Sequence, residues 1–116
     1  MKITTQELDG CQLLSLAGRL DASTAPILQG CFEGIVTSEA CRFILEMRDV
    51  DYVSSGGLRV LLIMTKKVKA LGGGIVLTRL HPFVEDLLRM SGFHTMIPAV
   101  ATKEDAVRLL AQGARP

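Results

Sequence analysis

The segment Val50–Leu62, reading VDYVSSGGLRVLL, constrains the fold more than any other stretch, because it joins an extended entry to an apolar helix through two hydroxyls and a glycine pair. Val50, Tyr52 and Val53 favour extended backbone. Ser54 or Ser55 suits a helix N-cap, since its side-chain oxygen accepts from a free first-turn N–H. Gly56 and Gly57 carry no Cβ, so a partner's backbone, or the terminal phosphate of ATP in a partner's active site, can approach the hydroxyls closely. A plain cap and an accessible functional serine both fit these residues. Beyond them, Leu58, Leu61, Leu62, Thr65 and Val68 recur at helical spacing, while Val60, Ile63 and Met64 widen the apolar surface. Such a helix half is buried or meets a partner.

The flanking sequence supplies strands and helices in alternation. Ile3–Glu7 and Cys11–Ala17 read as strands joined by Asp9-Gly10, a dipeptide suited to a tight hairpin. Asp21 or Ser23 caps a helix with Pro26 in its first turn and an apolar stripe of Ile27, Leu28, Cys31, Phe32 and Ile35. Arg42–Met47 reads as a buried strand, Ile75–Thr78 as another, and Met96–Val100 as a last short one. Gly72, Gly73 and Gly74 stop the central helix. Pro82–Met90 is a short helix with Phe83, Val84, Leu87 and Leu88 inward, followed by a corner at Gly92-Phe93. Thr102 caps a closing helix whose Ala106, Leu109 and Leu110 pack back, and Gly113–Pro116 is a frayed tail. The expectation is α/β: one domain over residues 1–116, with a mixed β-sheet begun by an N-terminal hairpin, right-handed crossovers, and about four helices.

Composition excludes several classes. A chain of 116 residues with net charge +1 and 48% hydrophobic residues buries an adequate core without disulfides. Lys66, Lys67 and Lys69 form a single cationic cluster late in a helix, where the dipole favours them, so nothing points to nucleic acid. The opening MKITTQELDG lacks the apolar core of a signal peptide, and the run Val60–Met64 is too short to span a bilayer; the expected location is the cytosol, with no membrane insertion. Cys11, Cys31 and Cys41 are too far apart for a CxxC motif and read as buried reduced thiols, without metal. The glycine triplet follows a helix rather than preceding one, which argues against a phosphate loop. No GxSxG elbow surrounds either serine, and neither His81, placed to cap the short helix, nor His94, on the surface, has a catalytic setting. These residues give a hydrolase little support and call for no cofactor.

Four segments in order resemble the anti-sigma factor antagonists of the STAS superfamily. They are GRLDASTAP (Gly18–Pro26), RFILEMRDVDYVSSGGLRVLL (Arg42–Leu62), GGGIVLTRLHPFVEDLLRMSGF (Gly72–Phe93) and EDAVRLL (Glu104–Leu110). In that family's familiar loop, aspartate-serine-serine-glycine-leucine, the second serine accepts phosphate. Aligning Gly57-Leu58 with the glycine-leucine puts Gly56 in the acceptor's slot, Ser55 at the first serine and Ser54 at the aspartate. The resemblance then implies phosphorylation at Ser55, with Ser54 as the alternative, or a copy that is not phosphorylated.

The same resemblance implies that the chain is not an enzyme and has two partners: an anti-sigma factor with serine-kinase activity, using its own ATP and Mg²⁺, and a PP2C-type phosphatase. It places Asp21 on the partner-facing edge beside Ser54, Ser55, Gly56 and Gly57, while Asp49 and Asp51 read as ordinary helix-end carboxylates. Arg59, one turn into the helix, joins that surface or is a solvated cation; Met64 joins it if exposed and otherwise fills the core. The rival reading is a STAS module without phosphorylation, in a lipid or anion transport assembly or a signalling scaffold, and the glycine at position 56 speaks for it.

Overall fold

In the computed structural model, which describes residues 1–113, five strands form one sheet in the order β1-β2-β3-β4-β5. Strands β1 (Lys2–Leu8) and β2 (Cys11–Ala17) make an antiparallel hairpin that pairs Leu8 with Cys11. Its turn residues, Asp9 and Gly10, both have positive φ (50° and 82°), the backbone twist that a two-residue hairpin requires. Strands β3 (Arg42–Asp49), β4 (Gly74–Thr78) and β5 (Ala99–Val100) follow in parallel, each paired with the strand before it.

Helices α1 (Ala25–Glu33), α2 (Ser55–Ala70) and α3 (Pro82–Ser91) connect the parallel strands. They bury Phe32, Leu61 and Val84 against Leu14, Phe43 and Leu77 on one face of the sheet. The other face packs Leu13, Ile44 and Val76 against Ala106 and Leu110 of α4 (Lys103–Gly113). Because the central strand is covered on both sides, Phe43, Ile44 and Leu45 form a continuous apolar run and are all fully buried. After α2, Gly72 turns the chain with φ 86°. Gly73 then passes so close to β3 that a Cβ on it would lie 1.9 Å from the Cys41 carbonyl oxygen. Gly72 and Gly73 therefore end the helix and let two backbones touch, while Gly74, expected to be part of the stop, is already the first residue of β4.

Several sequence expectations need correction. Ile27 on α1 is 50% exposed and Phe83 on α3 is 65% exposed, because the buried arcs of these helices run through Ala25, Leu28 and Phe32, and through Val84 and Leu88. The strand expected over Met96–Val100 shortens to Ala99–Val100, and the expected corner at Gly92-Phe93 leads into a 3-10 turn over Phe93–Thr95. Cys11 and Cys41 are buried, but Cys31 is only half-buried. Gly113 is the last residue of α4, and the rest of the expected tail lies outside the described residues. Among the described residues, no helix is long and apolar enough to cross a membrane.

Candidate functional site

Past Ala17, the chain leaving β2 runs beside the chain leaving β3. Gly18 N–H donates to the Asp49 carbonyl (3.0 Å), Leu20 N–H to Tyr52 (2.9 Å), and Ser54 N–H to Leu20 (2.9 Å). Leu20 and Val53 form a parallel bridge, and both side chains are buried. The serine loop is thus pinned to the segment leaving β2 up to Ser54, the residue before α2.

The two hydroxyls have different jobs. Ser54 is the N-cap, at φ −91° and ψ 176°, and its Oγ accepts from Gly57 N–H at 3.3 Å. This satisfies one of the orphan donors of the first turn. Ser55 is the first helical residue and its side chain is exposed.

The glycine pair is not an open door for a partner, as its lack of side chains suggested. A Cβ on Gly56 would lie 3.2 Å from Ala22 Cα. One on Gly57 would lie 2.6 Å from the Leu20 carbonyl oxygen and 3.1 Å from Val53 Cγ1. The protein's own loop fills that space: Gly57 is buried and leaves the candidate surface, whereas Gly56 stays half-buried at its rim. Position 56 faces Ala22, while position 55 faces solvent.

Around the serines lies a set of charged groups. Asp21 Oδ1 accepts from Ser23 N–H (3.0 Å), Ser23 Oγ–H (2.8 Å) and Thr24 N–H (3.1 Å). The Ser23 hydroxyl chiefly, with the two backbone donors behind it and against some desolvation, holds the Asp21 carboxyl below the usual carboxylate range. Neither Asp21 nor Ser23 is the cap of α1 itself; Thr24 takes that position without a side-chain cap bond, and Asp21 organises the turn before it.

Arg19 stands 3.9 Å from the centroid of the Tyr52 ring, with its Nε 3.7 Å from Asp21 Oδ2. The first turn of α2 has no acidic residue, and Arg59 is exposed one turn along. Met64 is fully buried, so its place is the core and not the partner surface. It sits on the arc with Leu61 and Val68 that faces the sheet.

The structure therefore brings Asp21, Ser54, Ser55 and Gly56 together at the mouth of α2, with Arg59 beside them. Sequence reasoning did not single out Leu20 and Tyr52 as the residues of the loop pairing, or Ala22 as the residue that covers Gly56. The extended character of Tyr52 and Val53 was the available signal, but it did not say which strand they would meet. Asp49 contributes its backbone carbonyl, and Asp51 is exposed. Among the described residues, no group of three or more His, Cys, Asp or Glu is placed to hold a metal. His81 caps α3 through Nδ1, which accepts from Phe83 N–H at 3.3 Å.

Comparison with known proteins adds the lineage. The family profile of the STAS domain matches residues 2–106. A Bordetella bronchiseptica protein described as a candidate anti-sigma factor antagonist, BtrV, is 32% identical over 106 residues, 91% of either chain. A crystal structure of a candidate anti-sigma factor antagonist from Thermotoga maritima superposes with a TM-score of 0.87, at 18% identity over 94% of each chain. The Bacillus cell fate determinant SpoIIAA, solved in its phosphorylated form, superposes with a TM-score of 0.70 at 15% identity, covering 93% of this chain and 99% of that one. At these identities the two structural likenesses establish the shared fold.

Proposed function

Because the chain belongs to the STAS-domain family of anti-sigma factor antagonists, we propose that it is the phosphorylatable member of a partner switch, with Ser55 as the acceptor. The reading rests on one observation above all. Ser54 Oγ is committed to the N-cap, Gly56 faces Ala22, and Ser55 presents an exposed hydroxyl at the head of α2. That SpoIIAA exists in a phosphorylated form supports it, since the fold then accommodates a phosphate.

In this cycle an anti-sigma factor with serine-kinase activity docks on the loop in the cytosol. The γ-phosphoryl group passes from ATP to Ser55 Oγ: the new P–O bond forms as the bond to ADP breaks, and the kinase's base takes the hydroxyl proton. A PP2C-type phosphatase restores the hydroxyl by hydrolysis. Every catalytic group belongs to the partners, and this chain is substrate and effector. Unmodified, it sequesters the anti-sigma factor and frees the sigma factor.

A phosphate adds about −1.5 to −2 charges, which the N-terminal end of a helix tolerates. In a close-fitting interface the same charge must be desolvated and paired, and every ~1.4 kcal/mol left uncompensated weakens binding tenfold.

The test is incubation with the anti-sigma factor kinase and ATP, followed by peptide mass spectrometry. Expected is a gain of about 80 Da on the Ser54–Ser55 peptide, absent in Ser55→Ala, together with loss of binding in Ser55→Asp and its retention in Ser55→Ala. Equal binding by the two variants, or co-purification with an ABC-type ATPase in place of an anti-sigma factor, would sink the reading.

A further inference from the structure

Taking Ser55 as the phosphate acceptor, as proposed above, we infer that Arg59 holds the phosphate one helical turn away, so that modification also withdraws this cation from the docking surface. Both residues are exposed on α2 and are four positions apart, which makes them neighbours on the helix surface. The acidic group lies N-terminal to the basic one, the better orientation for such a pair. The guanidinium fork matches phosphate oxygens with two parallel hydrogen bonds.

The charged groups on the loops after β2 and β3 do not compete for this role. Arg19, on the loop after β2, is already engaged with Asp21 and the Tyr52 ring. Asp21 and Asp51, on the loops after β2 and β3, are acidic. Arg59 is the one charged side chain between Ser55 and Thr65, and Lys66 and Lys67 lie about three turns along the helix from Ser55. Among the described residues the ion pairs are Arg19–Asp21, Arg89–Glu85 and Arg108–Asp105, which leaves Arg59 unpaired in the unmodified protein. The free guanidinium is then available to a carboxylate of the partner, and the phosphate competes for it within the chain.

The test uses full-length protein with phosphoserine installed at position 55 during translation, followed by ³¹P NMR titration of the phosphate. The second ionisation is expected to fall lower with Arg59 present than in Arg59→Gln, by roughly 0.15 to 0.4 of a pH unit. Arg59→Lys should be intermediate, and 1 M salt should erase most of the difference. Equal titration with and without the arginine would overturn the pairing. Because no kinase is used, that outcome is separable from failure of the switch itself, which would show as absent labelling of Ser55 by the kinase.

Discussion

Gly57 lies against Leu20 so closely that a methyl group on it would stand 2.6 Å from the Leu20 carbonyl oxygen and 2.8 Å from its Cγ. The carbonyl also accepts from Ser54 N–H, so neither it nor the buried side chain can retreat without breaking the loop pairing. Gly57→Ala should therefore cost about 1–3 kcal/mol through overpacking. Gly56→Ala meets Ala22 Cα at 3.2 Å, a milder contact. The helix-propensity gain of about 0.5–1 kcal/mol offsets it, leaving stability nearly unchanged. Urea unfolding of the two variants checks this; equal stabilities would contradict it.

The paired serines should separate cleanly. Ser54→Ala removes the N-cap and should lower stability by about 1 kcal/mol, whereas Ser55→Ala, at an exposed site, should stay within about 0.5 kcal/mol of the parent. Phosphate labelling should follow the reverse order, lost in Ser55→Ala and kept in Ser54→Ala. Thermal melts and mass spectrometry on the same two preparations provide the comparison.

Asp21 links pH to the shape of the candidate surface. Its native carboxyl is held below the ordinary value of 3.8, so its contribution to stability is complete above that value and is lost as pH falls through the lowered native one. Carboxyl-detected NMR should show Asp21 titrating below the usual range. Ser23→Ala should move the midpoint upward, since the Ser23 hydroxyl is the main cause. An unchanged midpoint in that variant would show that the backbone donors alone hold the turn.

Thr78, at the end of β4, is fully buried, and its Oγ1 has no hydrogen-bond partner among the described residues. Valine keeps the branched shape and removes the desolvated hydroxyl. Thr78→Val should therefore raise stability by about 1 kcal/mol, seen as a melting temperature higher by roughly 3–5 °C. A lower melting temperature would mean that a bound water satisfies the hydroxyl in solution.

Much of this protein is decided by residues close together in the chain. The Asp9-Gly10 hairpin, a serine cap on α2 at Ser54 or Ser55, the His81 cap and the Thr102 cap, whose Oγ1 accepts from Asp105 N–H at 3.0 Å, were all legible because each depends on a handful of successive residues. Apolar spacing likewise marked the strands and helices and the order in which they alternate.

What lay beyond the sequence was which element covers which. Met64 was equally compatible with core and surface, and packing of α2 on the sheet buried it; Ile27 and Phe83 went the other way. The bare helix mouth looked open until Leu20 and Ala22, over 30 positions away, filled it. Caps and turns follow from local hydrogen-bonding chemistry, but exposure is settled only when distant segments compete for the same space, and so the tertiary structure alone left Ser55 on the surface.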